Sequence, residues 1–244
     1  MPKKRLDQRV LDEHLASTRT KAQALIMAGE IFVNGSVIDK SGHLVSDDAI
    51  IDYRSKKRRY VSRGGEKLEG ALRSFDIDVQ GLHCLDVGAS TGGFTDCLLQ
   101  RGAASVFAID VGRGQLDHTL RNHPQVTWRE SFHVKNITPE TFERTFDLIT
   151  VDVSFISLKN VLPYLVPCLK DNGLLLALIK PQFEASKKDI PKGVLKNESK
   201  RQSILRDLSL FVQGELKLRE PRLSDAILKG PKGNQETFIL AQKP

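Results

Sequence analysis

Residues 84 to 94 run from an apolar stretch, Cys84 to Val87, into a glycine-rich turn ending at Phe94. Gly88, Gly92 and Gly93 allow close approach of the backbone to a bound ligand and leave amide groups free to face it. A second apolar run, Ser105 to Ile109, ends in Asp110. An acid at that place can accept hydrogen bonds from both hydroxyls of a ribose. The loop spacing is G-x-x-x-G-G, not the G-x-G-x-x-G of dinucleotide folds. It therefore suggests a nucleoside ligand without requiring a pyrophosphate, and S-adenosylmethionine (SAM) is the first candidate. The expected contacts are Asp86 before the loop, Gly88, Ala89, Ser90, Gly92, Gly93 and Phe94 within it, and Asp110 beyond. An ordinary strand-turn-helix is the alternative for the loop taken alone. Two charged residues, Asp152 and Lys180, directly follow apolar runs. A charge at the end of a buried strand needs a partner or a ligand. Lys67 and Glu236 lie beside glycine-rich stretches and complete a set of two lysines and two acids.

The elements that would position these residues alternate. Helices are predicted over 66–74, 94–101, 157–170 and 198–213, and strands over 83–87, 105–110, 146–151, 174–180, 222–228 and 236–241. Alternation of this kind predicts an α/β fold, a parallel Rossmann-like sheet with helices on both faces and ligands at the carboxyl ends of the strands. The last two strands, joined by Gly-Pro-Lys-Gly-Asn at 230–234, read as an antiparallel hairpin. Ahead of this lies a smaller α+β unit. Leu6, Val10, Leu11 and Leu15 share one helical face over 5–16, Ser17 or Thr18 caps a second helix running to Ala28, and Asn34-Gly35 marks a hairpin between apolar runs. A further strand spans 49–53. The predicted organisation is a unit over 1–55, a basic linker over 56–62 and a larger domain over 63–244.

The chain of 244 residues carries a net charge of +7, with 40% hydrophobic and 27% charged residues. Such a balance fits a globular protein with a polyanionic partner. Residues 1–67 hold 14 Lys and Arg against 9 Asp and Glu, so most of the excess sits at one end. Arg54, Lys56, Lys57, Arg58 and Arg59 form a block that reads as an exposed linker able to contact phosphates. Three cysteines, Cys84, Cys97 and Cys168, lie in apolar runs without metal-type spacing, as expected of buried thiols in a reducing compartment. No N-terminal apolar segment suggests export, and no run approaches a membrane span. A cytoplasmic location is expected.

The small unit resembles the S4 RNA-binding domain through Arg5-Leu-Asp7, then Thr18-Arg19, Ala22, Leu25-Ile26 and Gly29, then Val33-Asn-Gly35. The resemblance implies that the second helix and hairpin grip structured RNA, with Arg5, Arg9, Arg19 and Lys21 placed to meet phosphates. The order Lys67, Asp152, Lys180, Glu236 matches the Lys-Asp-Lys-Glu tetrad of FtsJ-like ribose 2′-O-methyltransferases. The stretches beginning at Ser62, Asp86, Asp152 and Leu178 look like those of the TlyA family, which joins an S4 domain to an FtsJ-like methyltransferase domain. Membership would imply SAM-dependent methylation of ribosomal RNA at cytidine 2′-hydroxyls. Lys180 would take or steer the hydroxyl proton, Asp152 and Glu236 would position the lysines, and no metal would be needed. His133 stands where that family tends to have Asn, and would meet the adenine. Two other readings are a non-catalytic RNA-binding or ribosome-assembly factor, against which the intact tetrad counts, and a haemolysin, the label of some family members. The absence of an export signal or membrane segment counts against the latter.

Overall fold

The computed structural model describes residues 3–53 and 59–244, without the side chains of Pro139 and Lys187. The basic residues Arg54, Lys56, Lys57 and Arg58 lie outside the described residues. The chain divides into two compact units, residues 1–57 and 58–244.

In the first unit, helices α1 (Leu6–Asp12) and α2 (Arg19–Met27) accompany five short strands. Strands β2 (Ile31–Val33), β3 (Ser36–Val37) and β5 (Ile51–Tyr53) form one antiparallel sheet, and β1 (Lys3–Arg5) pairs with β4 (Leu44–Ser46). Thr18 caps α2 by accepting the Lys21 amide. Asn34 (φ 49°) and Gly35 (φ 81°) make the hairpin turn between β2 and β3, both left-handed, as the tight two-residue turn requires. Leu6, Val10, Ala22, Ile26, Ile31, Val45 and Ile51 fill the core. The helix predicted over 5–16 is shorter at both ends: Arg5 belongs to β1, and the helix stops at Asp12, ahead of His14 in the left-handed region (φ 58°).

The second unit is a seven-stranded sheet. Its elements are α3 (Arg63–Ser74), β6 (His83–Val87), α4 (Gly93–Gln100), β7 (Ser105–Ile109), α5 (His118–Arg121), β8 (Val126–Arg129), β9 (Phe146–Val151), α6 (Leu162–Leu165), β10 (Leu169–Ile179), α7 (Pro181–Glu184), α8 (Glu198–Gly214), β11 (Arg219–Asp225) and β12 (Thr237–Gln242). The strand order is β11-β12-β10-β9-β6-β7-β8. The five strands from β10 to β8 are parallel, while β12 is antiparallel to both β10 and β11. Strand alternation feeds two cores. Leu85, Ile149 and Ala177 face α6 and α8, whereas Cys84, Leu148 and Leu176 face Leu68 and Leu72 of α3 and Leu98 of α4. The three cysteines are free, and burial pushes the Cys84 and Cys97 thiols up to about 12. Tyr60, within the expected linker, is buried in the second core, and Ser62 caps α3. No helix of the described residues is long and apolar enough to cross a membrane.

The predicted helix 157–170 is broken into a 3₁₀ turn at Leu158–Asn160, the single turn α6 and a second 3₁₀ turn at Val166–Cys168. Pro163 and Pro167 lack the amide hydrogens a continuous helix needs. Strand β8 was not among the predicted strands. It is an edge strand with three exposed residues of four, so it shows no apolar run.

Candidate active site

The strand order reverses between β6 and β9, and the site forms at the carboxyl ends beside this switch point. The turn after β6 carries Gly88 (φ 83°). A Cβ there would fall 2.6 Å from the carbonyl oxygen of Asp152, so only glycine lets the two strand ends approach this closely.

Asp152 follows β9 and Lys180 follows the neighbouring β10. Lys180 Nζ lies 2.6 Å from Asp152 Oδ1 and donates to Ser154 Oγ at 2.9 Å. Antiparallel pairing brings the start of β12 level with the end of β10, Thr237 opposite Ile179. Glu236 therefore enters from the opposite chain direction, and its Oε2 accepts from Lys67 Nζ of α3 at 2.5 Å. A Cβ on Gly230 would sit 2.5 Å from Glu236 Oε1, so a larger residue there would displace the Glu236 carboxylate. Each ammonium, buried at Lys67 and partly exposed at Lys180, faces a carboxylate, the condition under which paired charges survive desolvation. Lys67, Asp152, Ser154 and Lys180 line one cavity of about 250 Å³ together with Gly88, Ala89, Ser90, Gly93 and Phe94. Glu236, 1% exposed, stands behind Lys67 and does not line it.

A second cavity of about 530 Å³ shares Gly88, Ser90, Asp152 and Ser154 with the first. Its walls include Ile109, Phe132, Val134 and Ile156, and Asp110 and His133 border it. Asp110 accepts the Ser90 amide on Oδ2 at 2.8 Å and the Gly112 amide on Oδ1 at 2.6 Å. Each oxygen keeps a further lone pair. Glu130 fixes the adjoining loop by accepting from Arg121 and from the amides of Gly114, Gln115 and Leu116. Arg121 first, then these amides, hold its carboxyl down to about 2. His133 Nδ1 accepts the Lys135 amide at 3.1 Å, which leaves Nε2 to carry the proton. An acid with free lone pairs, apolar walls and a glycine-lined floor fit a nucleoside.

Two predicted contacts are placed elsewhere. Asp86 is fully buried beneath the loop, accepting the hydroxyls of Thr95 (2.7 Å) and Thr150 (3.1 Å), and borders neither cavity. Desolvation pushes its carboxyl up to about 7. Gly92 (φ 95°) faces Leu120. In the first unit, Arg5 grips the buried Asp7 through two nitrogens at 3.0 Å, and Arg19 Nε reaches the same carboxylate at 3.1 Å. Both arginines remain about half exposed. Lys21 Nζ donates to Ser17. Arg9, 15% exposed, is bound to Glu13 and the carbonyls of Asp47 and Ala49, leaving it little to offer a ligand. Arg59 pairs with Glu69 at 2.6 Å.

Ser154 and Glu184 were not singled out from the sequence, although both lie in the stretches quoted. Glu184 accepts the Ser157 hydroxyl at 2.6 Å and the Leu158 amide at 2.8 Å, joining the turn after Lys180 to the loop after Asp152.

Comparison with known proteins agrees with this architecture. The FtsJ-like methyltransferase family matches residues 60–243, and the S4 domain matches residues 4–51. The chain is 42% identical to the 16S/23S rRNA (cytidine-2'-O)-methyltransferase TlyA of Mycobacterium tuberculosis, over 96% of this chain and 88% of that one. It is 41% identical to Hemolysin A of Brachyspira hyodysenteriae, over 95% and 97% of the two chains. A solved protein from Streptococcus thermophilus, also named for haemolysin, superposes with a TM-score of 0.77 at 37% identity, covering 100% of this chain and 89% of that one. With an S4 domain followed by an FtsJ-like methyltransferase domain, and relatives of this identity along nearly its whole length, the chain belongs to the TlyA family.

Proposed function

We propose that the chain is a SAM-dependent methyltransferase acting on a ribose 2′-hydroxyl of ribosomal RNA, with cytidine as the target nucleoside. The observation that carries this reading is the Lys180–Asp152 pair, 2.6 Å apart, in which Lys180 lines the smaller cavity and Asp152 lines both. The larger cavity would hold SAM, which when bound supplies a methyl group on a positively charged sulfur. Asp110 would accept from the ribose hydroxyls of the cofactor, His133 Nε2 would donate toward its adenine, and Ile109, Phe132 and Ile156 would pack against the base. The smaller cavity would take the target ribose. Lys180 Nζ would orient the 2′-hydroxyl as an ammonium, or take its proton once it has itself become the neutral amine. Asp152 and Ser154 fix its ammonium, and Glu236 fixes Lys67 beside it.

The S4 unit would hold structured RNA with Arg5, Arg19 and Lys21, while Arg54, Lys56, Lys57, Arg58 and Arg59 would contact phosphates. Such a substrate places the protein in the cytoplasm. Haemolysis is only a name carried by some relatives. Incubation with radiolabelled SAM and purified ribosomal subunits tests the reading. Label should enter rRNA and map to a 2′-O-methyl nucleotide. Label on a base, or none in either subunit, would refute it.

A further inference from the structure

On the second unit, where α3 and the end of α4 meet the segment before Tyr60, and outside the lining of the catalytic cavity, three arginines converge on one carboxylate oxygen. Glu69 Oε1 lies 2.6 Å from Arg59 Nη1, 2.9 Å from Arg73 Nη2 and 2.9 Å from Arg101 Nη2. No two of these nitrogens can be further apart than twice the longer distance. Glu69 is nearly buried, while Arg59 and Arg73 are more than half exposed and Arg101 about a third. Arg59 is fixed from two sides, since its carbonyl accepts from Gln100 and its guanidinium lies over the Tyr60 ring. Asp96 of α4 is engaged by the Val61 amide and Gln100. Three positive charges therefore crowd around one buried negative charge. Each guanidinium has five N–H donors, and the nitrogen turned to Glu69 accounts for only part of them.

Clustered guanidiniums repel one another, and a second anion on their open side relieves that repulsion. The matching chemistry is a phosphodiester, which guanidinium forks bind in two-point geometry. We propose that Arg59, Arg73 and Arg101, gathered by Glu69, form a fork that grips the sugar-phosphate backbone of the RNA substrate outside the catalytic cavity. The proposal rests on the RNA methyltransferase reading for the identity of the polyanion. Glu69 is a positioning residue here, because it packs the three forks into the span of one phosphate group.

The test compares the full-length protein with an Arg73→Gln/Arg101→Gln double variant and an Arg73→Lys/Arg101→Lys double variant. Binding to purified ribosomal subunits is measured across a salt series, alongside SAM affinity. The Gln variant should bind subunits about tenfold more weakly near physiological salt, and its log–log salt slope should fall by about two. Its SAM affinity should be unchanged, and its KM for subunits should rise with kcat unaltered. The Lys variant should keep most of the salt slope, because its point charges remain. Wild-type affinity and slope in the Gln variant would overturn the proposal. So would equal losses in both variants accompanied by loss of SAM binding, which would assign the cluster to the fold. If the Gln variant lowers the slope but even the wild-type protein never methylates, the fork stands and the proposed reaction fails.

Discussion

Lys180 directly follows β10, with its ammonium held by Asp152 and Ser154 in the lining of the smaller cavity. Removing it should strike the transition state rather than ligand binding. Lys180→Ala should leave SAM and rRNA affinity within a few-fold while single-turnover methyl transfer falls by about 10²–10⁴. Lys180→Arg should not restore it, because guanidinium keeps its proton and its fork is wider than an ammonium. Near wild-type transfer by Lys180→Ala would remove the lysine from the mechanism. Asp110 is proposed to act in binding instead. Losing charge-assisted hydrogen bonds of roughly 1.5–3 kcal/mol each, Asp110→Ala should weaken SAM at least tenfold in calorimetry, and unchanged affinity in a folded variant would contradict its role. Asp86 has a different consequence. Its folded carboxyl titrates near 7, whereas an exposed aspartate titrates near 4. Between these values the native state holds a proton that the unfolded chain releases, so this group makes stability fall as pH rises from about 4 to 7. Asp86→Asn has no such proton to lose, and the Thr95 and Thr150 hydroxyls can turn to bond an amide. The variant should unfold at higher denaturant than wild type at pH 7.5, by on the order of a few kcal/mol, with the difference nearly gone at pH 4. A gap that widens on acidification would show that the carboxylate is stabilising as an anion.

The site depends on two loops from adjacent strands being locked together, and Glu184 is the lock. Its two oxygens take the Ser157 hydroxyl and the Leu158 amide, while Phe183 packs on Phe155 with ring centroids 4.9 Å apart. These contacts set the turn carrying Lys180 against the loop carrying Asp152 and Ser154. Glu184→Ala leaves a backbone amide without its acceptor, a cost of about 1–3 kcal/mol. Methyl transfer should drop about tenfold, since displacements near 1 Å matter at a reacting centre, while SAM affinity holds. Glu184→Gln retains an acceptor oxygen and should recover most of the rate; an undiminished rate in Glu184→Ala would refute the lock. This element-level arrangement marks the limit of what the sequence reveals. Gly88, Asp110, Asp152 and Lys180 are legible because each follows an apolar strand at a recognisable offset. Ser154 and Glu184 act across a strand pair, and nothing local in either stretch states which loops will meet. The same distinction separates the elements. Central strands such as β6 and β9 announce themselves as apolar runs. The edge strand β8 has too little buried surface to do so, β1 forms only by pairing with residues about forty positions away, and the helix over 157–170 was overruled by its prolines.

At the scale of the whole molecule the charge has a narrower origin than the totals suggest. Residues 1–53 hold 7 Lys and Arg against 8 Asp and Glu, so the S4 unit itself carries no basic excess. Its Lys4, Arg5, Arg9 and Arg19 are paired with Asp12, Asp7, Glu13 and again Asp7. The surplus lies in Arg54, Lys56, Lys57, Arg58 and Arg59. The unit should therefore recognise RNA by shape, while the basic run supplies the counterion-releasing contacts that set overall affinity. Proteins beginning at Arg54 and at Arg59 separate these contributions. Both should fold and bind SAM, because the sheet, its two cores and Tyr60 are retained. The form beginning at Arg54 should keep most of the affinity for rRNA at low salt but lose discrimination between subunits and an unrelated RNA of equal length. The form beginning at Arg59 should also lose about three units of the log–log salt slope, roughly 0.7–0.9 for each of the four cations removed with the basic run. Equal salt slopes in the two forms would place the phosphate contacts elsewhere, and full discrimination by either would mean that the S4 unit is not what reads the RNA.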